Sequence, residues 1–349
     1  MTRFPPFVVF TPLVLLLLLL SSEWMTVMVM GSLEEETTVS VGKKKHKVEL
    51  GAVQTTMLIP LVGRAVETGK ANGLIDDPKS VEIVQALDYD FNRWLPSLSS
   101  AASGSVLRTL LMDRDVGLFL DRYPHGTVVE MGCGLNTRFE RLDNGQVIWF
   151  DLDLPDSIAL RRNFFNYSRQ PRRHMVAASV LDYAAWIPQV KETGGPWCFV
   201  SEAVVLYLDE SSVESLVRTI SNEFSIDDDD DDENKEAVWF VSDTVSKAIV
   251  QSQASHPVMR HLPQESWFRW GCDDPGASIT AWTDGHMKLV RQSTFADVDD
   301  WIVARMQFPQ NLLTKYLPFV VKMMTHGHYM NVFVSQGEGR PKDNCPVND

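Results

Sequence analysis

From about Thr55 to Leu120 the apolar residues recur at helical spacing. Leu58, Leu61, Val62, Ala65 and Val66 fall on one stripe, as in a helix that buries one face. Asp76-Asp77-Pro78 interrupts the stripe and can start a new helix, with proline in its first turn. Val106 to Leu120 is apolar at mixed three- and four-residue intervals and ends before Tyr123-Pro124-His125-Gly126. Beyond that turn the period changes. Short apolar runs at Thr127–Met131, Val147–Asp151, His174–Ala178, Trp197–Ser201 and Ala237–Ser242 read as strands. Helical stretches at Ile158–Asn166 and Glu210–Phe224 lie between them. Alternation of this kind predicts βαβ units and a mainly parallel α/β sheet. Leu289–Val290 and Tyr329–Ser335 offer two further strands, expected as an antiparallel pair at the sheet edge. There is no internal repeat.

Two segments stand outside this pattern. Phe7–Leu20 is almost wholly apolar, with Arg3 before it and Ser21-Ser22 after it. Its length suits the apolar part of a signal peptide better than a full membrane span. Trp24–Met30 prolongs the apolar reach past Glu23, which keeps an anchor open as the other reading. A misplaced start of translation is the third. We therefore expect membrane association through residues 7–30, on the secretory route or as an anchor, with a cytoplasmic chain as the alternative. The charged blocks Glu34–Glu36 and Lys43–Lys47 read as solvated linker, so residues 1–50 are set apart from one large domain over 51–349. The second segment, 225–235, has no apolar residue after Ile226 and reads as a surface loop, and 337–349 as a flexible tail.

Composition narrows the function. The net charge is −14, from 32 basic and 46 acidic residues, and the run Asp227–Glu233 supplies seven of the acids. The remainder is mildly acidic, with no basic footprint for nucleic acid. The polyaspartate run lacks the glycine-bearing spacing of a calcium loop. Cys133, Cys198, Cys272 and Cys345 form no CxxC pair and have no zinc-ligand spacing with a histidine, so buried thiols and no metal are expected.

The chemistry gathers where strands end. Val128–Arg138 runs from an apolar strand into a glycine-rich turn in which Gly132 and Gly134 permit close approach of a ligand. A dinucleotide fingerprint wants a third glycine where Thr137 stands, so the turn suits a nucleoside without a pyrophosphate, or is simply tight. Asp153, 19 residues beyond Gly134, ends the next strand. It can accept from two ribose hydroxyls, or cap the helix that starts at Pro155. Ser179, after the third strand, can read an adenine edge. Glu202, after the fourth, is an acid among apolar neighbours, which favours a ligand-facing role. Polar residues at four consecutive strand ends match the rule that ligands bind at the C-terminal edge of such sheets.

Read together, EMGCGLNTR, FDLDLPD and SEAVVLYL resemble the leucine carboxyl methyltransferase family, and most of all its branch of tetracenomycin-type small-molecule O-methyltransferases. The resemblance covers roughly Thr55 to Gln336. It implies a Rossmann-like class I methyltransferase sheet with helices on both faces, an N-terminal helical cover over 51–125 and a core over 126–336. It implies S-adenosyl-L-methionine as cofactor. Glu130, Gly132 and Gly134 would line the methionine part, Asp153 would hold the ribose, Ser179 and Val180 would flank the adenine, and Glu202 would sit near the amino end. Arg108 occupies the place of a family arginine that pairs with the cofactor's carboxylate, a group that guanidinium can grip through two bonds. Arg64 matches a family position in the first covering helix.

A small-molecule acceptor, polyketide-like, is the expected partner. A protein C-terminal leucine and a non-catalytic cofactor-binding module are the other readings. No catalytic base stands out; Tyr207, His326 and His328 are the candidates. The two histidines alternate like strand-edge residues, which favours a non-catalytic reading.

Overall fold

The structure, a computed structural model, describes residues 45–91, 95–224, 238–255, 259, 262–306 and 310–335. The apolar segment 7–20, the acidic run 225–235, Cys345 and the tail 337–349 lie outside the described residues. Among those described, no helix is long and apolar enough to cross a membrane.

The first paired residues correct the expected linker. His46–Lys47 (β1) pairs in parallel with Leu87–Asp88 (β2), so ordered structure begins within the basic block. Between them the expected stripe forms the helix Leu58–Thr68. Asp77 then caps the helix Pro78–Ala86, its carboxylate accepting from Ser80 N at 3.0 Å with Pro78 in the first turn. The long helix Leu95–Arg122 follows.

The core sheet comprises β3 (Thr127–Met131), β4 (Ile148–Asp153), β5 (Arg173–Ala177), β6 (Trp197–Ser201), β7 (Val238–Val245), β8 (Met287–Ser293) and β9 (His328–Ser335). Its order is β5-β4-β3-β6-β7-β9-β8. The first five of these strands run parallel, while β9 is antiparallel to both β7 and β8. This is the Rossmann-like class I methyltransferase sheet, with the expected antiparallel pair at its edge. The chain moves outward from β3 to β5 and returns to β6 on the other side, which opens a crevice above the β3–β6 junction.

Both faces are covered, which explains why β3, β6 and β7 are buried at every position. One face packs Leu111, Met112, Val116 and Phe119 of the long helix against Val128, Val200 and Val241. The other packs Trp186, Val213, Leu216 and Ile220 against Val129, Phe199 and Phe240. The N-terminal cover lies over the glycine-rich turn, with Leu58, Leu61 and Ile83 clustered with Leu135 and Leu160. Cys133, Cys198 and Cys272 are buried free thiols, as expected.

Several boundaries differ from the sequence reading, two of them for a clear reason. The helix expected over Ile158–Asn166 spans Pro155–Arg161, placed early by Pro155 in its first turn. β7 runs on past Ser242 to Val245, its polar residues Asp243 and Thr244 held in the strand by burial and by pairing with β9.

The turn after β3 requires its glycine. Gly132 has φ +64°, and a Cβ there would meet Val204 Cγ2 at 2.4 Å. Gly132→Ala is expected to lower unfolding free energy by about 1–3 kcal/mol, the usual cost of a strained backbone position. Adding Val204→Ala should recover only part of the loss, because the clash goes and the backbone strain remains. Denaturant titration of both variants checks this.

Candidate cofactor site

A buried charge needs an opposite partner, and beneath the glycine-rich turn the carboxylates find arginines. Arg64, from the first covering helix, donates to Asp77 at 2.9 Å and to the carbonyl of Leu135 at 3.0 Å. Asp77 lies 3.4 Å from Arg141, which donates to Asp113 at 2.7 Å. Asp113 also accepts from Arg138 at 2.7 Å. The other two arms of Arg138 reach Glu130 and Glu202. Glu202 accepts from Arg108 Nε at 3.1 Å, and Arg108 Nη1 lies 3.5 Å from Asp243, which pairs with His328 Nε2 at 3.0 Å. One continuous series of ion pairs thus runs from the cover, under the glycine-rich turn, to the first residue of β9.

Glu202 is its centre. Oε1 also accepts from Thr109 at 2.8 Å, and Oε2 from Asn136 Nδ2 at 3.3 Å. Burial alone would raise its pKa, but Arg108, Arg138 and Arg64 outweigh burial and hold the carboxyl well below the usual range. The next residue, Ala203, has φ +54°, an uncommon conformation for a residue with a side chain. Its N–H donates to Asp243 Oδ1 at 2.7 Å, which fixes the turn that aims Glu202.

Glu130 behaves oppositely. Burial pushes its carboxyl up to about 7, against the pull of Arg138 and with a push from Asp151 and Glu202. The series holds five carboxylates (Asp77, Asp113, Glu130, Glu202, Asp243) and four guanidiniums (Arg64, Arg108, Arg138, Arg141). Glu130 is where a proton makes up the difference.

Gly132, Gly134, Asp153, Glu130, Glu202 and Arg108 converge on one sheet edge. Asp153 Oδ2 accepts from Gly134 N at 2.6 Å and Oδ1 from Leu154 N at 2.7 Å, leaving each oxygen a second lone pair. Burial raises its pKa despite those bonds. Asp151 does something else: it is buried with Arg161 at 2.9 Å, Arg173 at 2.7 Å and the Tyr167 hydroxyl. Arg161 in turn donates to the carbonyls of Gly134 and Asn136 at 2.9 and 2.7 Å, bracing the turn from below. Ser179 and Val180 follow β5; Ser179 Oγ accepts from Leu181 N at 3.2 Å and Val180 is buried in the core.

Three expectations change. Arg108 is neither an open two-bond grip nor a surface pair: Nε and Nη1 face Glu202 and Asp243, and only Nη2 has no such partner among the described residues. Tyr207 is half-buried with its hydroxyl donating to Thr56 Oγ1 at 3.2 Å, and desolvation raises its pKa, so it makes a poor base. His326 is exposed and pairs with the Tyr329 hydroxyl at 3.1 Å, whereas His328 reaches the buried series. Sequence reasoning did not single out Arg138, Asn136 or Asp243. The first two stand inside the glycine-rich motif, and Asp243 is another polar residue near a strand's C-terminal end, so the same rule could have found it.

The sequence model described as leucine carboxyl methyltransferase matches residues 57–221, which span the cover, the glycine-rich turn and the Glu202 turn. That stretch, just under half of the chain, is similar to the leucine carboxyl methyltransferase family. S-adenosylmethionine is the cofactor that this similarity implies. Similar proteins include the tetracenomycin polyketide synthesis O-methyltransferase TcmP of Streptomyces glaucescens, 28% identical over 176 residues, which cover 50% of this chain and 63% of that one. The alignment thus spans less than two thirds of that relative. An S-adenosyl-L-methionine-dependent methyltransferase of Gibberella zeae, dpfgK, is 27% identical over 243 residues, covering 66% of this chain and 79% of that one. Among solved structures, a DUF574 family protein from Streptomyces avermitilis is 12% identical, covers 79% of this chain and 97% of that one, and superposes with a TM-score of 0.47.

The raised pKa of Glu130 has a signed consequence. The folded carboxyl keeps its proton to about pH 7, whereas the unfolded one releases it near 4.5. Between those values the folded state binds more protons, so the Glu130 contribution to stability falls as pH rises through the window and is level above it. Unfolding free energies of wild type minus Glu130→Gln, measured from pH 4.5 to 7.5, should show that decline. A difference that grows with pH would mean that Glu130 is ionised in the fold.

Proposed function

We propose that this chain transfers a methyl group from S-adenosylmethionine to an oxygen, carboxylate or hydroxyl, of a small polyketide-like acceptor. The observation that carries the reading is the Glu202 turn. A carboxylate held ionised by three arginines stands beside a glycine-rich turn and an Asp-tipped strand, at the crevice of a class I sheet. S-adenosylmethionine combines two cationic groups with one carboxylate and so carries net positive charge. The ion-pair series carries one carboxylate more than it has guanidiniums, which suits such a ligand.

Individual residues divide the binding. Glu202 would accept from the cofactor's ammonium, Arg108 would meet its carboxylate through Nη2, and Asp153 would accept from ribose hydroxyls with its unused lone pairs. Gly132 and Gly134 would let the backbone approach closely, and Ser179 and Val180 would border the adenine. Arg138 and Glu130 would hold Glu202 in place without reaching the ligand. When bound, the cofactor supplies a methyl group already activated on sulfur. What remains for the protein is alignment of an oxygen with it, a contribution worth up to about 7–11 kcal/mol in favourable cases. The O-methyltransferase name of the Streptomyces glaucescens relative supports oxygen as the acceptor atom.

Calorimetry tests the binding half. The protein should take up S-adenosylmethionine and S-adenosylhomocysteine and should ignore NAD; heat with NAD alone would sink the reading. Asp153→Ala should weaken cofactor binding by about 1.5–3 kcal/mol, the usual cost for hydrogen bonds to a charged group. Asp151→Ala should instead lower stability by about 3–5 kcal/mol, because it strands the buried Arg161 and Arg173. A larger affinity loss at Asp151 would show the wrong ribose ligand.

Arg108→Lys separates a ligand-gripping arginine from a merely structural one. An ammonium is a point donor and cannot hold Glu202, Asp243 and a ligand carboxylate with one rigid fork. Cofactor affinity should fall by about 1.5–3 kcal/mol in the folded variant. Unchanged affinity with lowered melting temperature would confine Arg108 to the ion-pair series. Labelled-methyl transfer to a panel of phenols and aromatic acids tests the catalytic half.

A further inference from the structure

His328 ends the ion-pair series, and its surroundings give it a task that the cofactor residues leave open. Asp243 lies one residue beyond Ser242, which pairs with Ser201, so Asp243 stands level with Glu202 at the same sheet edge. His328 lies opposite Val245 across the β7–β9 ladder. Asp243 and Val245 share a face of β7, so His328 and Asp243 are diagonal neighbours across the strands. Asp243 is fully buried, and its Oδ2 takes both the His328 Nε2 contact at 3.0 Å and the Arg108 Nη1 contact at 3.5 Å. The imidazole is thereby held within about 6.5 Å of the arginine assigned to the cofactor's carboxylate.

The bond to Asp243 also chooses the tautomer. A carboxylate accepts only from Nε2–H, which leaves the Nδ1 lone pair as the basic position. Among the described residues Nδ1 makes no hydrogen bond. The side chain is 19% exposed and rests edge-on against Phe295 at 5.1 Å, so the ring is steadied yet open to a small molecule. A carboxylate acceptor is already ionised at neutral pH and needs no such base. A phenol, with an ordinary pKa near 10, lies within reach of concerted transfer to an imidazole, while an aliphatic alcohol is far weaker as an acid.

We propose that Asp243 and His328 form the general-base pair of this site and that its acceptor is a phenolic hydroxyl. The proposal rests on the methyltransferase reading above. Nδ1 of His328 takes the hydroxyl proton as the phenol oxygen forms its bond to the methyl carbon. The methyl–sulfur bond breaks and its electron pair stays on sulfur. The positive charge lost from sulfur reappears on the imidazolium, beside the Asp243 carboxylate, and the proton then passes to water. The charged group on the ring is Asp243 from β7, through which Arg108 of the long helix and, beyond it, Glu202 are joined. From the loop ahead of residue 300 comes the Phe295 ring, while Asp297 turns onto Thr294 at 2.7 and 2.8 Å. His326 points away to Tyr329.

The test reads the proton before any turnover. Para-nitrophenol, whose anion absorbs in the visible, is titrated into the complex with S-adenosylhomocysteine at a pH where the free phenol is protonated. The wild type should develop the anion band on binding, and His328→Gln should lose it while keeping S-adenosylmethionine affinity within about twofold. With labelled cofactor, transfer to phenols should fall about 10²–10⁴-fold in His328→Gln, the usual worth of a general base. The acidic limb of its pH profile should vanish. Asp243→Asn should keep a weaker form of both signals; because Asp243 also holds the Ala203 turn, His328→Gln is the deciding variant. An anion band absent from wild type, or unchanged in His328→Gln, overturns the base pair. Failure of wild type to bind S-adenosylmethionine at all overturns the methyltransferase reading instead.

Discussion

The structure depends on one constraint: charges that the sequence buries must find partners, and those gathered under the glycine-rich turn do so in one continuous series. Arg64, Asp77, Arg141, Asp113, Arg138, Glu202, Arg108, Asp243 and His328 link end to end, with Glu130 as a branch on Arg138. Such pairs are weak evidence for stability, because desolvation offsets much of their attraction. What they do supply is position. A guanidinium with three carboxylates cannot shift without leaving one of them bare in the interior. Arg138 therefore ties the long helix, through Asp113, to β3, through Glu130, and to the end of β6, through Glu202. The same series fastens the N-terminal cover to the turn through Arg64 and the carbonyl of Leu135.

Backbone strain and electrostatics meet at the Glu202 turn. Ala203 accepts a positive φ, Gly132 accepts another, and Val204 lies between them against the place a Cβ on Gly132 would take. These conformations persist because the surroundings over-determine them: Asp243 holds the Ala203 N–H, Asp153 holds the Gly134 N–H, and Arg161 holds two carbonyls of the turn. Short polar side chains and unblocked backbone are thus presented at the crevice by partners that point away from it.

How much of this was legible follows from range. The strands were readable because alternation between short apolar runs and helical stretches is local, and Thr127–Met131 and Trp197–Ser201 fall where the runs lie. The glycine-rich turn and Asp153 were readable because backbone freedom and a strand-end acid are local signals. The ion-pair series was not: Arg108 and Glu202 are separated by 94 positions, and nothing in either neighbourhood names the other. Arg108 consequently looked like an open grip when three groups compete for it. β7 was read as ending at Ser242 because Asp243-Thr244 continues it with polar residues, and that shortening hid Asp243. His326 and His328 were indistinguishable by spacing; His326 lies exposed in the turn before β9, whereas His328 is the first residue of β9 and reaches Asp243.

The imbalance of the series links its structure to the chemistry proposed for it. With Glu130 protonated, four carboxylates face four guanidiniums, and the empty site is neutral in its own accounting. A cofactor with net positive charge makes an ionised Glu130 more favourable, since the incoming cation stabilises the charge that burial penalises. Binding and loss of that proton are then coupled, and near pH 7, where Glu130 titrates, the coupling is strongest. Methyl transfer reverses the balance by removing the sulfonium charge. If the acceptor arrives neutral, the departing proton keeps a positive charge inside the site, on His328, only until it reaches water. The product-bound site is therefore again one positive charge short, which favours reprotonation of Glu130 and weaker hold on a ligand whose sulfur is neutral. On the function proposed above, a buried acid with its pKa raised to about 7, rather than one fixed in either state, would let the same series accept the charged form and release the uncharged one.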